Sequence, residues 1–403
     1  MFPSQLFKNR KILVGITGGI AAYKTIELIR YLVTQEAQVR VIMTSSAEKF
    51  ITPLTLETLS RNPVLKEMFP EESFSGTHHI KWADWAEAAI IAPATYNFIG
   101  KIWAGVADDL LTTMVAALQC PVVIAPAMNV NMWNNPILQR NLTELKKNNY
   151  LLCPPAEGFL AEGYSGMGRL APLEHLVQYL YRAIHPDSKS FSGKKVLVTA
   201  GRTEEYLDPV RFLSNRSSGK MGFALAWEAF ARGAEVTLIH GPTELPSPVD
   251  IQCIPVTSAQ QMFEAVEKHF PESDFFISAA AVADYQSKEP AKHKLKKGEE
   301  GLILQLVRTP DILKEVAIKK TPGQKLIGFA VETEDEKKNA LKKLRSKNLN
   351  LIALNNPLEA GSGFRSDTNK VTLLTKDKEK ELPLMAKLDV AFEIFDFLIK
   401  NVL

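Results

Sequence analysis

VLVTAGRTEEYLDPVRFLSNRSSGKMG, residues 196–222, is the run around which the second half of the chain is organised. Val196-Leu197-Val198 is an apolar run of the kind that forms a buried strand. The small residues Thr199-Ala200-Gly201 turn the chain, a polar loop follows, and Ser217-Ser218-Gly219-Lys220-Met221-Gly222 stands at the mouth of a helix. Glycine there lets backbone approach a ligand, and the first N–H groups of a helix can meet an anion. The run predicts a nucleotide or phosphate site on a doubly wound sheet. It is neither the dinucleotide fingerprint G-x-G-x-x-G nor the P-loop G-x-x-x-x-G-K-[ST].

The chain has 403 residues, enough for two or three domains. A hydrophobic share of 46% and a charged share of 23% are ordinary globular values. The net charge of +3 is small and evenly spread, so no nucleic-acid partner is expected. No apolar run reaches the ~18 residues of a membrane span, and MFPSQLFKNRK lacks a signal-peptide core. Cys120, Cys153 and Cys253 form no paired framework, and the seven histidines have no metal-ligand spacing. The expectation is a cytoplasmic protein with no membrane segment and no structural zinc.

Working outward, the same rhythm occurs twice. Residues 11–16 predict a strand, Thr17-Gly18-Gly19-Ile20 turns it into a helix carrying Ile26, Ile29, Leu32 and Val33, and 39–43 predict the next strand, ending at Thr44. Residues 87–92 predict a buried strand running into Ala94-Thr95, and Ile99, Ile102, Val106 and Leu110 predict one amphipathic helix. A strand at 121–125 leads to Pro126-Ala127-Met128-Asn129, followed by a helix near 137–147, a strand at 150–153, a Gly-rich loop to Gly168 and a helix at 173–185. Residues 185–193 have linker composition. After them come helices near 219–233, 259–270, 310–320, 334–348 and 389–402, strands near 235–239, 275–277, 326–331 and 349–354, and a hairpin within 370–384. The fold class is α/β: two doubly wound Rossmann-like domains, the first spanning 1–188 and flavodoxin-like, the second spanning 193–403.

The first half resembles the flavin-dependent cysteine decarboxylases. The resemblance is carried by GITGGIAAYK at 15–24, FITP at 50–53, His79-Ile80 ahead of Trp85-Ala86, APAT at 92–95, GVADDLLTT at 105–113, and PAMN at 126–129 with Met132-Trp133. It implies flavin mononucleotide (FMN) held by Gly18, Gly19, Ile20, Thr44, Ala94 and Thr95. A C-terminal cysteine has no electron sink beside its carboxylate. Oxidising its CH2–SH to a thioaldehyde provides one, CO2 leaves, and the enethiolate must then be reduced. The resemblance gives His79 the role of base and Asn129 that of carboxylate-orienting donor. In the loop GFLAEGYSGMGRL, 158–170, Glu162 stands where the family usually has a cysteine that supplies the proton for reduction. Two readings stay open: Glu162 is the acid, or the half stops at an oxidised enethiol product.

Residues 193–403 resemble the CTP-dependent phosphopantothenate–cysteine ligase domain, and the whole chain resembles the bifunctional family of coenzyme A synthesis that joins the two. The resemblance implies ligation of L-cysteine to 4′-phosphopantothenate through an acyl-cytidylate made from CTP, with Mg2+ whose ligands are unassigned. By position, Asn215 and Lys294 are catalytic. Arg211, Ser278, Ala279, Ala280, Asp284, Pro310, Asp311, Ile312, Leu313, Phe329, Lys343 and Lys347 bind substrate or nucleotide. Plainer roles exist for several: Arg211 can pair with Asp208, Lys294 can be an ordinary basic loop residue, and Lys343 with Lys347 a solvated helix face. Arg202 replaces a usual glycine in the turn after the first strand. The segment Gly363-Phe364-Arg365-Ser366-Asp367 with Asn369 matches a late family segment read as structural or dimer-forming. The resemblance also implies trimeric decarboxylase cores and dimeric ligase domains, hence a dodecamer. A flavin-binding regulatory protein and a nicotinamide-dependent oxidoreductase are the competing classes. The intact His79 and Asn129 speak against the first, the missing dinucleotide fingerprint against the second.

Overall fold

The computed structural model describes residues 3–68, 78–160, 163, 165–296, 302–332, 334–356, 358–359, 361–363 and 365–403. The chain divides into two compact units, one of Gln5–Ser188, the other of Lys189–Leu403 with Met1–Ser4 grouped to it.

The first unit is built on a parallel sheet in the spatial order Val64–Leu65, Gln38–Met43, Lys11–Ile16, Ala88–Ala94, Val122–Pro126, Leu151–Leu152. In chain order this is 3-2-1-4-5-6; without the two-residue edge strand Val64–Leu65 it is the flavodoxin order 2-1-3-4-5. Ala88–Ala94 lies in the middle of the sheet and every residue in it is buried. Its unbroken apolar run AAIIAPA is what a parallel strand covered on both faces requires. Leu13, Ile91, Ile99, Leu111, Met114 and Ile124 form the core on one side.

Two local expectations for this unit change. The single helix through residues 99–110 is two helices, Tyr96–Ala104 and Leu110–Ala117. Gly105 ends the first in a left-handed conformation, and Asp109 starts the second with a capping box shared with Thr112. The Gly-rich loop after residue 153 contains an antiparallel hairpin, Ala156–Phe159 with Ser165–Arg169.

The second unit repeats the order. Gln252–Pro255, Glu235–His240, Lys195–Ala200, Phe275–Ser278, Lys325–Val331 and Leu351–Asn355 run parallel, and Thr372–Leu374 with Glu379–Glu381 extend the sheet antiparallel. The helix Lys220–Ala231, buried along most of its length, packs on Lys195–Ala200 and beside the C-terminal helix Lys387–Asn401. Gly222 is what allows the first of these contacts, since a Cβ there would lie 2.4 Å from Ala200 Cβ. Short ladders that periodicity did not announce, Glu204–Tyr206 with Phe212–Ser214 and Tyr285–Ser287 with Leu306–Arg308, shape the loops above the sheet.

Candidate active sites

In an open α/β sheet a ligand is bound outside the carboxyl ends of the strands, where the strand order reverses. In the first unit that point lies between Lys11–Ile16 and Ala88–Ala94. Thr17 Oγ1 donates to Pro93 O at 2.7 Å and accepts from Thr95 N at 3.0 Å, tying the two strand ends together. Beyond it, a Cβ on Gly18 would lie 2.3 Å from Ser46 Cβ, so only glycine fits there. Gly19 N bonds back to Thr17 O, and Ile20 opens the short helix Ile20–Lys24 with its side chain exposed. Thr44 continues the neighbouring strand, its N–H on Ile16 O, while its Oγ1 is shielded from water and has no hydrogen-bond partner among the described residues. Ala94 is buried, its carbonyl accepting from Ala127 N, and Thr95 caps the helix Tyr96–Ala104. The structure therefore brings all six residues expected at the flavin to one switch point. Glycine backbone, an unsatisfied hydroxyl and a helix start suit a phosphate-bearing group such as FMN. Burial, and then the Arg169 guanidinium, push the Lys24 ammonium below its ordinary range at the edge of this turn.

Asn129 caps the helix Val130–Trp133, its Oδ1 accepting from Asn131 N at 2.8 Å, so the carboxamide nitrogen is the end suited to a carboxylate. The hairpin strand Ser165–Arg169 lies against this segment through Met128 N to Gly168 O at 2.9 Å. Glu162, between the two hairpin strands, lies outside the described residues. His79 is the second residue of the helix His78–Trp85, which packs on Leu110–Ala117. Its Nδ1 is shielded from water without a partner among the described residues, and no hydrogen bond joins it there to the glycine turn or to Asn129. Cys153 is buried.

In the second unit the switch point lies between Lys195–Ala200 and Phe275–Ser278. A cavity of about 810 Å³ opens there. Ser278, Ala279, Ala280 and Asp284 line one wall, and Asn215 with Ser217-Ser218-Gly219 another. Asn215 Nδ2 donates to Ala281 O at 3.1 Å and Val282 O at 3.2 Å, which fixes its carboxamide against the strand end. Pro310, Asp311, Ile312, Leu313 and Phe329 also line the cavity, with Lys343 and Lys347. Asp311 caps the helix Ile312–Lys319, and both its carboxylate oxygens take Lys347 Nζ at 2.7 Å. Lys343 donates to Phe329 O at 2.7 Å. Burial, reinforced by the neighbouring Lys347 charge, pushes the Lys343 ammonium down. The two lysines are thus ordered at a cavity rather than spread on a solvated face.

Arg211 and Lys294 are not brought to the cavity wall. Arg211 Nε lies 3.6 Å from the buried Asp208 carboxylate, and Nη2 donates to Leu295 O at 2.5 Å. Asp208 also accepts from Leu295 N at 3.1 Å. These residues clamp the backbone next to Lys294, whose side chain is exposed. Lys220, in the run expected at the helix mouth, and Asn369, expected in a structural segment, line the same cavity, as do Asn355, Ser362 and Lys387, which sequence reasoning missed. They come from four separate stretches, and only the fold places them together. Among the described residues no cluster of three or more His, Cys, Asp or Glu side chains could hold a metal ion, and no helix is long and apolar enough to cross a membrane.

Two family models divide the chain between them. The flavoprotein model matches residues 3–185, and the DNA/pantothenate metabolism flavoprotein C-terminal domain matches 191–402. The coenzyme A biosynthesis bifunctional protein CoaBC of Bacillus subtilis is 48% identical over 392 residues, 96% of this chain and 96% of that protein. Its namesake in Vibrio cholerae is 44% identical over 385 residues, 95% of this chain and 96% of that protein. The crystal structure of the C-terminal domain of a CoaBC protein aligns over 52% of this chain and 96% of its own, with 44% identity and a TM-score of 0.45. With both models in register and relatives alike from end to end, the chain belongs to the bifunctional coenzyme A biosynthesis proteins, enzymes that couple a phosphopantothenate–cysteine ligase to a flavoprotein phosphopantothenoylcysteine decarboxylase.

Proposed function

We propose that the second unit joins L-cysteine to 4′-phosphopantothenate with CTP, and that the first decarboxylates the product to 4′-phosphopantetheine, in the cytoplasm. The observation that carries this reading is the lysine-bearing cavity at the second switch point, with Asn215 fixed at its strand end. A carboxylate and an amine do not condense without a leaving group on the carboxyl carbon. Lys343 and Lys347 hold the nucleotide's negative charge, and the exposed Lys294 reaches the triphosphate from its loop. Asn215 steadies the acyl-cytidylate while the cysteine amine attacks. Mg2+ keeps several waters and needs only one or two protein carboxylates when it rides on phosphates. Asp284, exposed at the cavity wall with no ion-pair partner among the described residues, is the candidate ligand.

In the first unit, Gly18, Gly19, Ile20, Thr44, Ala94 and Thr95 would hold FMN. When bound, the flavin supplies the two-electron oxidation of the substrate thiol and the later reduction. His79 takes a proton from the substrate, and Asn129 orients the carboxylate that departs as CO2. Glu162 supplies the proton that completes the saturated thiol. A glutamate where relatives of the first half usually have cysteine favours one second reading, in which the half releases the enethiol instead. We further propose the trimeric and dimeric contacts of a dodecamer. The test is pyrophosphate release from 4′-phosphopantothenate and CTP. A flavin-loaded chain that forms none would overturn the ligase assignment.

A further inference from the structure

Ser362, Gly363 and Asn369 form part of the cavity wall in the second unit, although they belong to a segment far from the switch point in sequence. Three elements tie that segment down. Lys387, first residue of the C-terminal helix and 4% exposed, donates from Nζ to Ser366 O at 2.5 Å and Gly363 O at 3.4 Å. Lys220, first residue of the helix after the glycine turn, donates to Arg365 O at 3.1 Å and Asp367 Oδ1 at 2.6 Å. Asn355, at the carboxyl end of its strand, donates from Nδ2 to Ser362 O at 3.4 Å. Burying an ammonium costs several kcal/mol unless hydrogen bonds and charges compensate, and an apolar side chain would fill the same space without that cost. Here the ammonium also lines a cavity that must accept two anionic substrates.

We propose that Lys387 is a positioning residue of the ligase site. It fixes residues 362–363 and 365–369 beside the cavity, of which Ser362, Gly363 and Asn369 line the wall, and with Lys220 it sets a second cation pair there, from helices other than Glu336–Ser346, which carries Lys343 and is followed by Lys347. The inference rests on the ligase reading above. The charged groups facing Lys387 are Lys220 from the neighbouring helix and Asp367 from the segment itself. Burial and then Lys220 push its ammonium down to about 8, with Asp367 opposing. Its charge is therefore held below about pH 8 and lost above it.

The experiment compares wild type, Lys387→Met and Lys387→Arg as flavin-loaded full-length chains. One assay follows first-turnover pyrophosphate release from CTP and 4′-phosphopantothenate without cysteine, across pH. The other follows decarboxylation of supplied 4′-phosphopantothenoylcysteine, which reports on the first unit alone. Lys387→Met is expected to slow pyrophosphate release about tenfold or more while decarboxylation stays at the wild-type rate. Lys387→Arg is expected to restore most of the rate and to move its alkaline decline to higher pH. Wild-type rates in Lys387→Met would overturn the proposal. So would an arginine variant as slow as the methionine one, or an alkaline limb that does not move. If Lys387→Met fails to fold, the arginine pH profile still decides. A wild type that releases no pyrophosphate would instead sink the ligase reading, and this inference with it.

Discussion

Thr17 lies just past the first strand of the first unit and Thr199 is the last but one residue of the first strand of the second, and each hydroxyl receives an N–H from just beyond the fourth strand: Thr95 N at 3.0 Å, Ala280 N at 3.4 Å. A turn containing glycine follows each threonine. From there the two sites diverge. The first offers glycine backbone, the Thr44 hydroxyl, which has no partner among the described residues, and a helix start. The second offers Lys220, Lys343, Lys347 and Lys387 around an asparagine fixed by two carbonyls. The shared scaffold locates a ligand, and in the proposed function the side chains set above it decide whether that ligand is an aromatic cofactor with one phosphate or a highly charged nucleotide.

The sharpest way to break the comparison is to silence one unit and watch the other. His79→Ala should lower decarboxylation of supplied 4′-phosphopantothenoylcysteine by about 10²–10⁴-fold, as loss of a general base does, with pyrophosphate release and the flavin absorbance unchanged. Asn215→Ala should lower overall ligation about 10²–10³-fold, the loss expected when a donor to a reacting acyl group is removed, with decarboxylation intact. Equal losses in both units from either change would mean that the two sites do not work separately.

Smaller effects sharpen the picture within each site. Gly18→Ala forces a methyl group onto Ser46, so the chain should purify with less FMN, read from the ratio of flavin to protein absorbance; full flavin loading would refute the cradle. Thr44→Val should weaken FMN by about tenfold, roughly one hydrogen bond, in a titration of the apoprotein. Lys347→Met should raise the KM for CTP. It should also raise the pKa of Lys343, whose ammonium is pushed down by burial and then by the Lys347 charge. Lys343 then stays charged to higher pH, so the alkaline loss of nucleotide affinity should move upward, and a downward move would contradict this electrostatic account.

The strands and glycine turns were legible because a parallel strand buried on both faces is a short apolar run, and a turn at its end must be small. Val196-Leu197-Val198 and residues 87–92 both read this way, the second strand being observed at Ala88–Ala94. Residues 99–110 were not legible as two helices, because the apolar spacing continues across Gly105 and only the Asp109–Thr112 capping box marks the restart. The lysine pair Lys343 and Lys347 was legible only through resemblance, since a spacing of four residues also describes any solvated face. Lys387 and Asn355 were illegible, because nothing local distinguishes a buried cavity lysine from the other lysines near the C-terminus. Their role depends on which strand ends and helix starts meet.

The central claim is that both sites act in turn on one pantothenate-derived molecule. Mass analysis of the products formed from 4′-phosphopantothenate, CTP and L-cysteine by the flavin-loaded chain tests it directly. The account predicts pyrophosphate together with the saturated thiol 4′-phosphopantetheine. An enethiol in its place would assign Glu162 no role as acid, and a carboxylated product that never loses CO2, or no ligated product at all, would contradict the sequence of two sites.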